Sequence, residues 1–181
     1  MKGIMAADQS TSATGLAYFI NGDLADYWLI KPKSSKRATE TTIQREPHFI
    51  TITMPEADYD TTLLRTTVIT DEVERLIEEL HPDELWFEEI FENGNPKGYR
   101  SLARLQGFLA HVAHKHNVAY TIVEETRWIS SWGKYDKTVK RPERKADIMA
   151  KVNALYGLDI NVNDISDAIA IGRYASEVKE N

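Results

Sequence analysis

Lys2-Gly3-Ile4-Met5-Ala6-Ala7-Asp8, then Thr14-Gly15-Leu16-Ala17-Tyr18-Phe19-Ile20, the pair Asn21-Gly22, and Leu24 to Ile30 form the stretch that decides the fold. The first run is short and apolar and closes on a carboxylate, as a buried strand ending at a cleft would. The second is another strand. Asn21-Gly22 marks a two-residue hairpin, because both residues tolerate positive φ. The third run returns along the second, so the chain opens on a three-strand meander.

Beyond it, residues 31–62 are rich in Lys, Thr and Ser and read as a loop, with one extended stretch at Phe49 to Thr53 that suits an extra edge strand. Ile69, Val73, Leu76, Ile77 and Leu80 recur at helical spacing within 64–80, and His81-Pro82-Asp83 stops that helix. Leu85 to Phe91 is a strand of large apolar residues interrupted by Glu88 and Glu89. Asn93 to Gly98 is a turn-rich loop, after which Ser101 is expected to cap a helix with Leu102, Leu105, Phe108, Leu109 and Val112 inward. Val118 to Val123 is the fifth strand, and a short helix carrying Trp128 and Trp132 follows. A helix from about Pro142 displays Ile148, Met149, Val152, Leu155 and Tyr156 and stops at Gly157; the last helix runs from Asn163 to Lys179. Meander, helix, strand, helix, strand, helices is a mixed α/β order, without repeat or dividing linker.

The chain has 181 residues, within the range of one domain, and 42% hydrophobic content, ordinary for a globular protein. It contains no cysteine, which excludes disulfides and cysteine-ligated zinc and fits a reducing cytosol. No apolar run approaches the roughly 20 residues that span a bilayer, and Asp8 comes too early for a signal peptide; a cytoplasmic protein is the expectation. A net charge of −6 argues against indiscriminate nucleic-acid binding. Yet Arg127, Lys134, Lys137, Lys140, Arg141, Arg144 and Lys145 face only Asp136 and Glu143 between positions 127 and 145. That segment is either a solvated loop or a local basic surface for phosphates. A smaller basic cluster is Lys31, Lys33, Lys36 and Arg37.

Asp164 and Asp167 are three apart, so they share a helix face in a first turn where the helix dipole favours anions. Simple capping would explain them, except that Ile165, Ala168, Ile169, Ile171 and Ala175 make this helix largely buried. Glu88 and Glu89 interrupt a strand whose successive residues face opposite sides, so at least one points into a packed face or cleft. Asp8 ends the first strand. Carboxylates brought together from these places repel one another unless a cation lies among them, and hard oxygen ligands select magnesium or manganese over zinc. Two such ions about 4 Å apart are suited to phosphodiester hydrolysis.

Asp8-Gln9-Ser10-Thr11-Ser12-Ala13-Thr14-Gly15, Glu88-Glu89-Ile90-Phe91 and Asp164-Ile165-Ser166-Asp167-Ala168-Ile169-Ala170-Ile171 together resemble the three motifs of RuvC-type Holliday-junction resolvases in the RNase H-like superfamily, in the divergent form carried by phages. The third is the most specific, and order and separation match over nearly the whole chain. The resemblance implies a single RNase H-like nuclease domain over residues 1–181, with a mixed five-stranded sheet and helices on both faces. It implies Asp8, Glu88, Asp164 and Asp167 as ligands of two Mg2+ ions, with Mn2+ able to substitute, and Lys145 near the scissile phosphate. It further implies a homodimer that resolves four-way DNA junctions by paired nicks. The sequence departs from the pattern in two places: Gln9-Ser10 replaces the usual Pro-Gly, and Glu89 stands where an amide is common.

Other readings stay in view. The Asp-Gln-x-Thr start also resembles the first phosphate loop of actin-like sugar kinases, but the chain is short for two domains and has no Asp-Gly-Gly. An RNA-processing or RNA–DNA hybrid nuclease shares the same acids. A non-cleaving junction-binding protein would be expected to lack one of them. His111, His114 and His116 read as polar helix surface. Trp128 and Trp132 suit stacking on bases or packing, and Phe91 suits a dimer and junction contact or the core.

Overall fold

A computed structural model describes residues 2–56, 61–92, 94–134 and 136–178. The opening meander is present as β1 (Gly3–Asp8), β2 (Thr14–Ile20) and β3 (Asp23–Ser35), with Asn21 and Gly22 both at positive φ in the first hairpin. Next come β4 (Thr42–Glu46), β5 (Phe49–Pro55), α1 (Thr61–Leu80), β6 (Glu84–Glu88), α2 (Pro96–Lys115) and β7 (Ala119–Val123). Three helices close the chain: α3 (Glu125–Ser131), α4 (Arg141–Tyr156) and α5 (Asn163–Val178).

The sheet has seven strands in the order β4-β5-β3-β2-β1-β6-β7. The five expected strands run from β3 to the β7 edge, β3-β2-β1-β6-β7, so the correction lies at the other edge. There the Lys/Thr/Ser-rich segment extends β3 to Ser35 and adds β5 parallel to it and β4 antiparallel to β5. Ile50, Ile52 and Met54 alternate inward on β5, whereas β4 is exposed throughout. Beyond its ladder with β5, β4 is tied to α1 by a charge contact: Arg45 bonds the buried carboxylate of Glu72, which Arg75 also binds at 3.0 Å.

Helices cover both faces, as expected. Met5, Ala7, Leu16, Leu85 and Phe87 pack under α1 and α2, through residues such as Ile69, Val73, Leu105 and Leu109. Ile4, Ala6, Ala17, Phe19 and Trp86 face α5 through Ile165, Ala168, Ile169 and Ile171, with Trp128, Trp132, Ile148 and Val152 completing that layer. Both tryptophans are therefore core residues, and Trp132 caps α3 at its C-terminal end. Two details of α2 differ from expectation. Asn95, not Ser101, caps it, accepting from the Gly98 amide, while the Ser101 hydroxyl bonds back to the Lys97 carbonyl within the helix. Phe108 is exposed, and the buried face is Leu105, Leu109, Val112 and Ala113. Gly157, at φ 65°, ends α4 as read. Lys179, the expected end of the last helix, lies outside the described residues. No helix among the described residues is long and apolar enough to cross a membrane.

Candidate active site

The acids meet at one end of the sheet because three separate regularities bring them there. On β1, Ile4 and Ala6 face α5, so alternation turns Asp8 the same way. The strand β6 runs parallel to β1 with Ala6 opposite Trp86 and Ala7 opposite Phe87, which sets Glu88 level with Asp8. Trp86 lies on the α5 side and Phe87 on the other, so parity turns Glu88 toward the Asp8 side; β6 ends there, and Glu89, past the alternation, lines a groove with Trp86, Arg127 and Tyr174. Asp164 and Asp167 come from the first turns of α5.

Gly15 makes the approach of α5 possible. It pairs with Asp8 across the hairpin, and a Cβ built there would lie 1.9 Å from the Asp164 carbonyl oxygen and 2.9 Å from the Ile165 nitrogen. Any side chain at this position would push the helix start, and both its aspartates, away from β1.

Electrostatically the site is crowded. Asp8 and Asp167 are buried, at 8% and 2% exposure, and Glu88 and Asp164 are half-buried. Burial, then the charge of Asp167, raises the Asp8 carboxyl well above the usual range, with Glu88 and Asp164 adding to it. Glu88 is pushed up to about 7 by burial, then by Glu125 and Asp167. Burial likewise raises Asp167, against the pull of Lys145. Lys145, from α4, is the resident cation: its Nζ bonds Asp167 Oδ2 and lies 3.9 Å from Asp8 Oδ2. Burial disfavours its charge, but Asp8 and Asp167 outweigh this and hold the ammonium above its ordinary range.

Asp8, Glu88, Asp164, Asp167 and Lys145 therefore lie close enough to act on one another's charge, and Arg141 acts on the same group while its Nε is 3.5 Å from Glu125. The rest of the basic segment is spread out. Lys137 and Lys140 are exposed, and Arg127 lies 3.7 Å from Glu124. Arg144 turns back to the Val139 carbonyl, and Lys134 lines a cavity of about 180 Å3 with Trp132 and Ile148. Sequence reading missed Glu125, Gln9 and Gln106. Gln9 Nε2 and Gln106 Nε2 both donate to the Glu88 carbonyl, at 2.5 and 2.9 Å.

The donor set fits divalent metal. Asp167 Oδ1 is buried without a hydrogen-bond partner, every candidate ligand is a carboxylate oxygen, and one ammonium is a poor match for four acids. The acids are not drawn tightly together around Lys145. Among the described residues, the trio whose ligand atoms all lie within 4.8 Å is elsewhere: Glu74, Glu78 and His116. There Glu74 Oε1 is taken by Lys115 and His116, each at 2.7 Å, so that trio is an ion-pair knot tying the end of α2 to α1. His116 thus has a structural contact, whereas His111 and His114 are exposed, as read. Phe91 is 55% exposed and has no core role.

Residues 49–177 match the model of a family described as Lactococcus phage M3 protein. The chain belongs to that family. The matched stretch includes Glu88, Lys145, Asp164 and Asp167, while Asp8 precedes it. No curated protein matches the sequence. Among solved structures, Thermus thermophilus RuvC in complex with a Holliday junction substrate superposes with a TM-score of 0.71 at 12% identity, covering 100% of this chain and 97% of that one. The fowlpox virus resolvase, in complex with Holliday junction DNA, gives 0.53 at 13%, covering 99% of each chain. The yeast mitochondrial Holliday junction resolvase gives 0.51 at 13%, covering 98% of this chain and 80% of its own. At such identities the shared property is the fold. This phage-family chain has the RuvC-type, RNase H-like fold that its motifs implied.

Proposed function

We propose that this protein is a metal-dependent endonuclease that resolves four-way DNA junctions by paired nicking, acting as a homodimer of one nuclease domain spanning residues 1–181. One observation carries the reading: Asp8, Glu88, Asp164 and Asp167, from two strand ends and a helix start, lie within reach of one another's charge, with Lys145 paired to Asp8 and Asp167, in a chain folded like junction resolvases. In this reading the four acids hold two Mg2+ ions, for which Mn2+ substitutes, and the ions supply activation of water and charge neutralisation at the leaving oxygen. Asp8 and Asp167 contribute rigidly placed anionic oxygens, and their burial keeps bulk water from competing for them. Lys145, held beside Asp8 and Asp167, would present its ammonium to the scissile phosphate. Arg141 stands at the rim for the neighbouring phosphate. Arg127, Lys134, Lys137, Lys140 and Arg144 follow the backbone of the arms and make affinity dependent on salt. A host-cell cytoplasmic location suits such a substrate.

The test offers a four-way junction, a fork, a flap, plain duplex and an RNA–DNA hybrid side by side with Mg2+. Paired cuts in the junction are expected. Cutting confined to the hybrid would replace the junction reading with hybrid cleavage on the same fold, and binding without cutting would mark a junction-binding protein.

A further inference from the structure

The peptide between Glu88 and Glu89 sits just past the level at which both β1 and β6 end. Its N–H, from Glu89, donates to the Val123 carbonyl of β7 at 2.8 Å. The carbonyl of the same peptide points the opposite way, toward β1, but β1 has ended at Asp8 and offers no main-chain donor. Two side-chain amides fill that place. Gln9, the residue after Asp8, is 6% exposed and donates from Nε2 at 2.5 Å; Gln106 donates from α2 at 2.9 Å. Because Nε2 is committed as donor, Gln9 Oε1 is fixed as an acceptor, and it is buried without a partner. The Pro-Gly usual at this point of the resembling motif has no amide side chain with which to make the bond.

We propose that Gln9, assisted by Gln106, is a positioning residue of the acidic site. It continues the β1–β6 ladder one step past its end and so fixes the spacing of Asp8 and Glu88, its neighbour in sequence and its partner in space. This rests on the nuclease reading, in which both acids hold the same ions. Small errors in ligand spacing weaken such sites, so outer contacts of this kind matter for affinity.

The test replaces each amide with a side chain of similar length and no donor, Gln9→Met and Gln106→Met, in the full chain. Thermal melting is followed across a Mg2+ titration, and single-turnover cutting of a four-way junction is measured beside junction affinity in EDTA. The Mg2+ concentration for half-maximal stabilisation should rise about tenfold in Gln9→Met and less in Gln106→Met. The cutting rate at saturating DNA should fall by a similar factor while junction affinity holds. An unchanged Mg2+ midpoint overturns the proposal, even where melting in the absence of metal is lowered. If the unsubstituted protein gains no stability from Mg2+, the four-acid reading falls and takes this proposal with it. If it does gain and Gln9→Met responds identically, only the amide role falls. Should Gln9→Met fail to fold, Gln106→Met carries the same test from α2.

Discussion

Two groups of buried acid sit in this molecule, and they are built on opposite terms. On α1, Glu72 is 2% exposed, and two guanidinium groups close on it, from Arg45 and Arg75. At the sheet end four acids lie near one another, one ammonium pairs with Asp8 and Asp167, and a buried oxygen of Asp167 has no hydrogen-bond partner. The first arrangement is complete in itself and ties β4 to the body of the fold. The second is stable only in part, and what it lacks is positive charge. A fold that tolerates such a deficit where it has paired another acid twice over shows where its strain is concentrated.

Neutralising one acid in each place should separate the two most sharply. Asp8→Asn is expected to lower junction cutting by a thousandfold or more, on the order of 4 kcal/mol of barrier, while junction binding persists; gel-shift and cleavage assays on one preparation read both. Retained cutting would remove Asp8 from the chemistry. Glu72→Gln should do the reverse, leaving the cutting rate near normal and costing about 2 kcal/mol in denaturant unfolding. The loss stays moderate because both arginines left behind are partly exposed.

Metal should close the deficit. With Mg2+ at a hundred times its dissociation constant, linkage adds about 2.7 kcal/mol, or roughly 5–10 °C in melting temperature for a chain of this size. Glu72→Gln should keep that gain, and Asp167→Asn should lose it. Acidity offers the same relief without metal. Glu88 titrates near 7 in the folded chain, above its ordinary 4.5. The native state thus binds more protons than the unfolded one, and stability is fully present below the unfolded value and lost as pH rises through about 7. Asp8 and Asp167 act in the same direction. Metal-free protein should therefore melt lower at pH 8 than at pH 5, by no more than about 3 kcal/mol from Glu88; a flat profile would show these acids already neutralised. The smallest expected effect is at the rim: neutralising Lys137, Lys140 or Arg141 should each reduce the salt slope of junction affinity by about one.

How far the sequence foretold this depends on whether a feature is periodic or relational. The meander, the apolar faces of α1 and α5 and the stop at Gly157 are written in local patterns and were legible. The motifs also name Asp8, Asp164, Asp167 and Lys145, which the fold brings near one another. The strand β4 was not legible, since it is polar and exposed, and its anchor is an Arg45–Glu72 contact 27 residues apart. Ser101 misled as a cap because a hydroxyl bonds equally well to a carbonyl one turn back. Glu88 and Glu89 could be told apart only once β6 had a register against β1. Gln9 shows in the sequence only as a departure from the motif, and Gln106 and Glu125 carry no pattern at all; their meaning is the carbonyl or charge they face.

The bare backbone at Gly15 has a consequence in time. Half of the proposed ligands arrive with the helix that seats on it, and that helix begins at residue 163. Until that helix is in place Asp8 and Glu88 have no acids opposite them, so on the proposed reading the metal site is assembled after the sheet that carries its first two ligands. The hydrogen atom on that glycine thus ties the order of assembly to a single close approach between a hairpin and a helix far along the chain.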